Sequence, residues 1–412
     1  MDIHPPPLKI RFGHLASMTG KSFSSGELII RDGRFVFIGE RTRSGFDGET
    51  IDLSDCLVLP GFVNAHCHLT LSGLKGRLSK NLSFVDWVLS LIEIESDLKE
   101  EERVAAFQTG ANEMLLSGVT TLGDYLGNFE WLPHYEKIPF RQVVFLEAIG
   151  FRKEKSRETA RKIKAVLKSG SPAQDRITLG VAPHAPYSVS PELFQLLYKL
   201  AKDHSVPISC HVAELEEEKE FLQTGGGALR HLLGKREAWE PKWKPPGKST
   251  LSYLADLEVL DSLIAIHLNH IGTDWKLLRA NQMSAVFCPR SSRWFRRRKY
   301  MDVKEFLDCG IPVGLGTDSL ASNHSLNFLE ELRAASEMAS EVGPLQILEL
   351  ATCYGARVLG LDCGTIALGK PADLIAFRIA KDVKDDWIKI PFESARTEVD
   401  FSMIAGKILI RK

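Results

Sequence analysis

The most restrictive feature of this 412-residue sequence is a rhythm: eight short apolar runs without in–out alternation, separated by longer amphipathic stretches. The runs are Leu57–Ala65, Gly118–Gly123, Gln142–Ile149, Ile177–Ala182, Pro207–Cys210, Ser262–Ile266, Ser284–Phe287 and Pro312–Gly316. A run without alternation is a strand buried on both faces, as in a parallel sheet covered by helices. Eight in succession predict an α/β fold, a (β/α)8 TIM barrel, whose functional groups gather where the strands end. Helices are predicted for the gaps: Arg103–Leu116, Pro191–Lys202 behind a capping Ser190, and Leu326–Met338, where Leu326, Leu329 and Leu332 share one face.

The two ends of the chain read differently. Gly26–Arg31 and Arg34–Ile38 flank Asp32-Gly33, a pair suited to a type I′ hairpin, and strand-like pieces return at Gly364–Ile366, Ala372–Ile379 and Met403–Ile410. Residues 1–59 plus 360–412 are expected to pair into a small β-sandwich domain beside a barrel of residues 60–359. The 52 basic and 53 acidic side chains leave a net charge of −1, so no global field favours nucleic acid or an anionic membrane, and a small neutral or weakly charged ligand is expected. Seven scattered cysteines, odd in number and without a CxxC pair, signal neither a disulfide framework nor a cysteine zinc knuckle. The opening segment has an early acid, three prolines at positions 5–7 and no apolar core, and no later run reaches about 18 uncharged apolar residues. The expectation is a soluble, non-secreted, cytoplasmic protein, with a homo-oligomer left open.

The strongest local signal is His66-Cys67-His68, directly after the first run. Side chains two apart on an extended segment point the same way, so both imidazoles can meet one metal ion, although such a pair fits a structural or surface role equally well. His184, His211, His267 and Asp318 end the fourth, fifth, sixth and eighth runs. Any one of those histidines alone reads as a core ring satisfied by a carbonyl; their coincidence at one end of one barrel points to a site. Glu214, three residues beyond His211, can enter the same cavity without sharing the ion, as a proton shuttle would.

Four segments together carry a resemblance: Pro60–His68, His211-Val212-Ala213-Glu214, His267-Leu268-Asn269-His270, and Gly316–Asn323. They resemble the amidohydrolase superfamily, in the branch that holds nucleoside and nucleobase deaminases and triazine chlorohydrolases; residues 364–374 are similar to that family's closing segment. The resemblance implies that His66, His68, His211 and Asp318 ligate one divalent metal ion, zinc first and iron as the alternative. Binuclear relatives carry a carboxylated lysine at the end of the fourth strand; Leu179–His184 has none, which implies a mononuclear site. By the same analogy Asp318 takes a proton from the attacking water, His267 orients that water's oxygen, and Glu214 protonates the neighbouring ring nitrogen. The reaction implied is hydrolytic deamination.

The loops bear on the substrate. Phe84, Asp86 and Trp87 could wall the pocket, although the spacing of Trp87 from Leu91 favours core, and Glu93 or Glu95 could hold ribose hydroxyls, although solvated helix charges are the simpler reading. His184-Ala185-Pro186-Tyr187-Ser188 resembles a loop that contacts sugar or base in nucleoside-acting members. The insertion Gly225–Ser252 sets Trp239 and Trp243 among prolines, either as a stiff lid or as a surface insertion packed on its own barrel. In Cys288–Lys299, Arg290 and Arg293 stand near enough to pair with a substrate carboxylate, and Arg296–Lys299 reads as solvated. These loops are most similar to aminodeoxyfutalosine deaminases. That implies an adenine nucleoside with a carboxyphenyl group, 6-amino-6-deoxyfutalosine of menaquinone biosynthesis, with Arg290 over the carboxylate and His184, Trp87 and Trp239 against the ligand. The alternatives are a deaminase of S-adenosylhomocysteine or methylthioadenosine, a guanine or cytosine base deaminase, a triazine hydrolase, and, outside enzymes, an inactive barrel serving as scaffold. Against the last stands the complete set of ligands.

Overall fold

The computed structural model of the chain describes residues 7–40, 46–173, 175–380 and 386–412; the first six residues of the opening segment, with two of its three prolines, lie outside them. Five strands precede the barrel: β1 (Leu8–Ala16), β2 (Ser22–Phe23), β3 (Gly26–Arg31), β4 (Arg34–Gly39) and β5 (Glu49–Pro60). The barrel strands are β6 (Phe62–Cys67), β7 (Val119–Leu126), β8 (Arg141–Ala148), β9 (Ile177–Pro183), β10 (Ser209–Val212), β11 (Ile264–His267), β12 (Ser284–Phe287) and β13 (Val313–Leu315). Then come β14 (Leu374–Arg378), β15 (Phe401–Ile404) and β16 (Lys407–Arg411).

Strands β6–β13 form one parallel sheet in the order β10-β11-β12-β13-β6-β7-β8-β9, and a parallel bridge from Val181 to Ile208 joins its two ends. This is the (β/α)8 barrel, with a strand at each of the eight apolar runs. The first run differs in one respect. Leu57–Ala65 is two strands, with β5 in the terminal sheet and β6 in the barrel, and the chain turns between them at Gly61. There the Gly61 N–H donates to the Asp373 carbonyl at 3.1 Å, and a Cβ would lie 2.1 Å from Thr120 Oγ1. Val63, Val143, Phe145, Ile264 and Val286 fill the interior, and Ala356, Val358 and Leu359 pack into the same cluster. Fully burying each of the larger of these side chains is worth about 1.5–3 kcal/mol, so the lower half of the barrel is packed core. The site is left to the strands' C-terminal ends.

The helices follow their caps. Pro191–His204 starts behind Ser190, whose hydroxyl accepts the Leu193 N–H at 3.2 Å, and Glu100–Leu116 contains the predicted Arg103–Leu116. The third begins two residues late, as Phe328–Met338, because the Asn327 side chain caps it by accepting the Leu329 N–H; Leu326 is buried just outside.

The chain ends share a mixed sheet, in the order β16-β15-β14-β5-β1-β3-β4 with β2 on β1. A bridge from Arg34 to Pro371 folds it back on itself, so that Ile10, Phe12, Leu28, Phe35, Val58, Leu374 and Phe401 form one core inside a small β-sandwich. Asp32 and Gly33 have φ of 50° and 70°, as a type I′ turn requires. Gly364–Ile366 forms no strand, and Met403–Ile410 is broken by a turn at Ala405-Gly406, with φ of 48° and 79°. Among the described residues no helix is long and apolar enough to cross a membrane.

Candidate active site

His66 lies within β6 and His68 one residue beyond it; His211 lies in β10, His267 closes β11, and Asp318 follows β13, bridged to Cys67. His68 Nε2 is 3.3 Å from His211 Nε2, while Asp318 Oδ1 is 3.7 Å from His66 Nε2 and 3.9 Å from His68 Nε2. Burial lowers His68 to about 3, His184 to about 4 and His211 well below the usual histidine value, so these rings are neutral at pH 7 and present lone pairs. His66 is wholly buried, and neither ring nitrogen has a hydrogen-bond partner. An orphaned buried group costs about 1–3 kcal/mol, a cost that a cation between these rings removes. His211 Nδ1–H donates to the His184 carbonyl at 2.9 Å, which fixes the tautomer and leaves Nε2 facing His68. The donor set therefore fits a divalent metal ion. His66, His68 and Asp318 form one group able to hold it; His66, His211 and His267 form a second, and Glu147, His184 and His211 a third.

Asp318 is braced on both oxygens. Oδ2 accepts from the Ser291 and Ser322 hydroxyls at 2.6 and 3.0 Å, and Oδ1 accepts the Ser319 N–H at 2.8 Å. Burial alone would raise this carboxyl, but the adjoining His66, the largest opposing influence, holds it well below the usual carboxylate range. The backbone here is strained: Ala213, His267, Leu268 and Asp318 have φ of 51°, 75°, 49° and 57°. Such conformations cost of order 1–3 kcal/mol each and persist where neighbours enforce them. Asn64 is one enforcer, accepting the Thr317 N–H at 3.0 Å and donating to Thr317 Oγ1 at 2.8 Å.

Glu214 stands on a loop held by Glu218. The buried Glu218 carboxylate accepts the Ala213 and Glu214 N–H groups at 3.0 and 3.2 Å and the Thr250 hydroxyl at 2.9 Å. Glu214 Oε1 in turn accepts from Arg297 Nη2 at 3.0 Å.

A cavity of about 730 Å³ opens from these groups. His68, His184, His211, Glu214, His267 and Asp318 line its floor; Phe84, Trp87, Tyr187 and Phe295 line one wall, and Arg152, Lys155 and Arg236 the outer wall. Trp87 thus faces the cavity, with its indole N–H donating to the Ala321 carbonyl at 3.0 Å, and His184 is oriented by Ser188, 2.6 Å from Nδ1. Glu95 also lines it, ion-paired with Arg103.

Two expected substrate contacts are absent from this cavity. Arg290 lies in a separate cleft, paired with Glu330 at 2.6 Å and Glu331 at 3.8 Å and donating to the Ser325 carbonyl at 3.0 Å; helix Phe328–Met338 places those carboxylates against it. Trp239 packs on Phe151 and Trp243, with the Arg230 guanidinium 3.8 Å from its ring centre, because burial among rings outweighs exposure at the mouth. The adjoining Arg236, Glu237 and Ala238 reach the cavity instead, so the insertion serves as wall. Arg293 is exposed and pairs with Glu337. The Arg296–Lys299 run is not uniformly solvated, since Arg297 turns inward to Glu214. Arg297, Glu218 and Glu147 escape sequence reasoning: Glu218 sits in an acidic stretch that opens a helix, and nothing in a basic run marks which member turns in. The spacing of Glu218 four residues after Glu214 was the one available signal.

A mouth of this kind, with clustered imidazoles and a carboxylate in place of a nucleophilic side chain, fits a metal-dependent hydrolase. The chain belongs to the amidohydrolase family, whose profile matches residues 57–409. It is 28% identical over 409 residues to the 5-methylthioadenosine/S-adenosylhomocysteine deaminase of Pelotomaculum thermopropionicum, covering 95% of this chain and 89% of that one. Its fold is that of a zinc-bound adenosine deaminase from Xanthomonas campestris (TM-score 0.81, 23% identity, 98% and 93% of the two chains). It is equally that of Helicobacter pylori aminofutalosine deaminase, solved with methylthio-coformycin (TM-score 0.81, 23% identity, 98% and 100%).

Proposed function

We propose that this chain hydrolytically deaminates an adenine nucleoside, that its substrate is 6-amino-6-deoxyfutalosine, and that it serves menaquinone biosynthesis. The observation that carries the substrate is the outer wall. Arg152, Lys155 and Arg236 line the cavity that holds the metal-competent cluster, and among the described residues none forms an ion pair within 4 Å. A guanidinium pair suits a carboxylate, and about 730 Å³ suits a nucleoside with a long substituent rather than a bare base or triazine. The names of the curated relatives favour a second reading, S-adenosylhomocysteine or methylthioadenosine, of which only the first carries a carboxylate.

His66, His68, His211 and Asp318 would hold one divalent ion, zinc before iron given the zinc-bound neighbour of like fold. When bound, such an ion supplies Lewis acidity that makes water a nucleophile at neutral pH. Asp318, kept ionised and fixed by Ser291 and Ser322, takes a proton from the attacking water. His267 orients that water's oxygen toward C6 of the purine. Glu214, entering as the acid, delivers a proton to the adjacent ring nitrogen; the proton taken by Asp318 passes to the amino group, the C6–N bond breaks and ammonia leaves, and the C6 hydroxyl returns its proton to Glu214 as the hypoxanthine carbonyl forms. His184 and Trp87 flank sugar and ring. The proposed division into a sandwich of residues 1–59 and 360–412 and a barrel of 60–359 is supported by the pairing of Leu59 with Ile375 and of Phe62 with Val119, although Pro60, opposite Leu374, still belongs to the terminal sheet. Seven free cysteines support a reducing, cytoplasmic setting.

Ammonia release from the metal-replete protein tests this across aminodeoxyfutalosine, its carboxyl methyl ester, S-adenosylhomocysteine and methylthioadenosine. The acid is expected to give the highest kcat/KM and its ester to lose about tenfold or more. Equal rates for acid and ester favour the second reading, and no turnover of any adenine nucleoside contradicts both.

A further inference from the structure

Helix Pro289–Trp294 follows β12 and ends in a Schellman turn: Arg296 adopts φ of 51°, its N–H donates to the Arg293 carbonyl, and the Arg297 N–H donates to the Ser292 carbonyl, both at 3.0 Å. Glycine is the usual residue at the left-handed position, and a non-glycine there costs roughly 1–2 kcal/mol. The turn sends Arg297 back toward the barrel, against the rings of Phe295 (4.8 Å) and Phe84 (5.9 Å), and its Nη2 reaches Glu214 Oε1 at 3.0 Å. Among the described residues no donor meets Glu214 Oε2. The same helix carries Ser291, whose hydroxyl is 2.6 Å from Asp318 Oδ2.

We propose that Arg297 is a positioning residue for the proton-carrying Glu214: it occupies one carboxylate oxygen and leaves the other to face the substrate's ring nitrogen. The inference rests on the deaminase reading. One short helix and its turn thereby aim both proton carriers, Asp318 through Ser291 and Glu214 through Arg297. A carboxylate free to rotate would spend part of its time out of reach of the nitrogen, and such a misplacement of about 1 Å costs on the order of 100-fold in rate.

The test is a double-mutant cycle on the full-length, metal-replete chain, with an adenine nucleoside that the wild type turns over. Arg297→Met is expected to lower kcat by about 10- to 100-fold with KM changed less than about threefold, and Arg297→Lys to recover part of the loss. In a Glu214→Gln background, Arg297→Met is expected to add less than about threefold, because the two act as a unit. Added guanidinium ion is expected to restore part of the activity of Arg297→Ala at unchanged metal content. Losses that multiply in the double variant, or an effect confined to KM, overturn this inference and leave the deaminase reading intact. Absence of wild-type turnover of every adenine nucleoside overturns both.

Discussion

At the floor of the cavity each functional group is gripped by another: Asp318 by three serines, His211 by the His184 carbonyl, Glu214 by Arg297. At the outer wall of the same cavity Arg152, Lys155 and Arg236 stand exposed, and among the described residues none is held by an ion pair within 4 Å. On the proposed function, the difference follows from what each region would do. Bond-breaking needs groups fixed to a fraction of an ångström, and fixing them takes strained backbone and buried carboxylates. Recognition of a charged tail needs only a field and some reach, which flexible cations on a rim supply without cost to folding.

Changing a braced group at the floor is expected to have the largest effect. Asp318→Asn keeps the shape and removes the charge; kcat is expected to fall about 10³-fold or more, with metal content by atomic spectroscopy falling as well. Retention of both metal and activity would break the contrast. Arg290→Ala comes next, in stability rather than turnover, because it removes the only guanidinium beside the buried Glu331 among the described residues, which keeps the residue-290 N–H and the Asn323 amide: a loss of roughly 1–3 kcal/mol by urea unfolding is expected, with substrate preference unchanged. At the outer wall, Arg152→Met with Arg236→Met is expected to lower the kcat/KM ratio of aminodeoxyfutalosine over methylthioadenosine by about tenfold, and an unchanged ratio would move carboxylate recognition elsewhere.

A pH experiment separates the regions in another way. Burial, and after it the charge of Asp124, pushes Glu147 up to about 8 from an ordinary 4.5. The folded chain therefore keeps a proton that the unfolded chain has released. This contribution is full below pH 4.5 and is lost as pH rises through 8, at up to ~1.4 kcal/mol per pH unit. Urea unfolding of the metal-free protein across that window is expected to show stability falling with pH, and Glu147→Gln is expected to flatten the slope. The smallest effect is expected of Arg293→Ala, whose exposed pair with Glu337 contributes within about 0.5 kcal/mol.

The metal-competent cluster of the floor was legible in the sequence, while its braces and most of the wall were not, for a physical reason. Strand ends are fixed by the eight-fold alternation, so His66, His68, His184, His211, His267 and Asp318 could be placed on one mouth from their positions after apolar runs. The loops carry no such period. Arg290 and Arg297 lie in one basic stretch, and which of them turns to Glu214 depends on a turn at Arg296 and on carboxylates from helix Phe328–Met338. Trp239 misleads similarly: its ring is held by Phe151, more than 80 residues earlier, while its plainer neighbour Arg236 reaches the ligand space. The split of Leu57–Ala65 at Gly61 was also hidden, since both halves are apolar and only the contact with Thr120 separates them.

The most direct measurement is a competition. The metal-replete chain is given aminodeoxyfutalosine and methylthioadenosine at equal concentration, and the two hypoxanthine products are followed as ammonia is released. Consumption of the carboxylated nucleoside at least about tenfold faster is the expected result. Preference for methylthioadenosine would contradict the role given to the outer wall, and consumption of neither would contradict aminodeoxyfutalosine as the substrate.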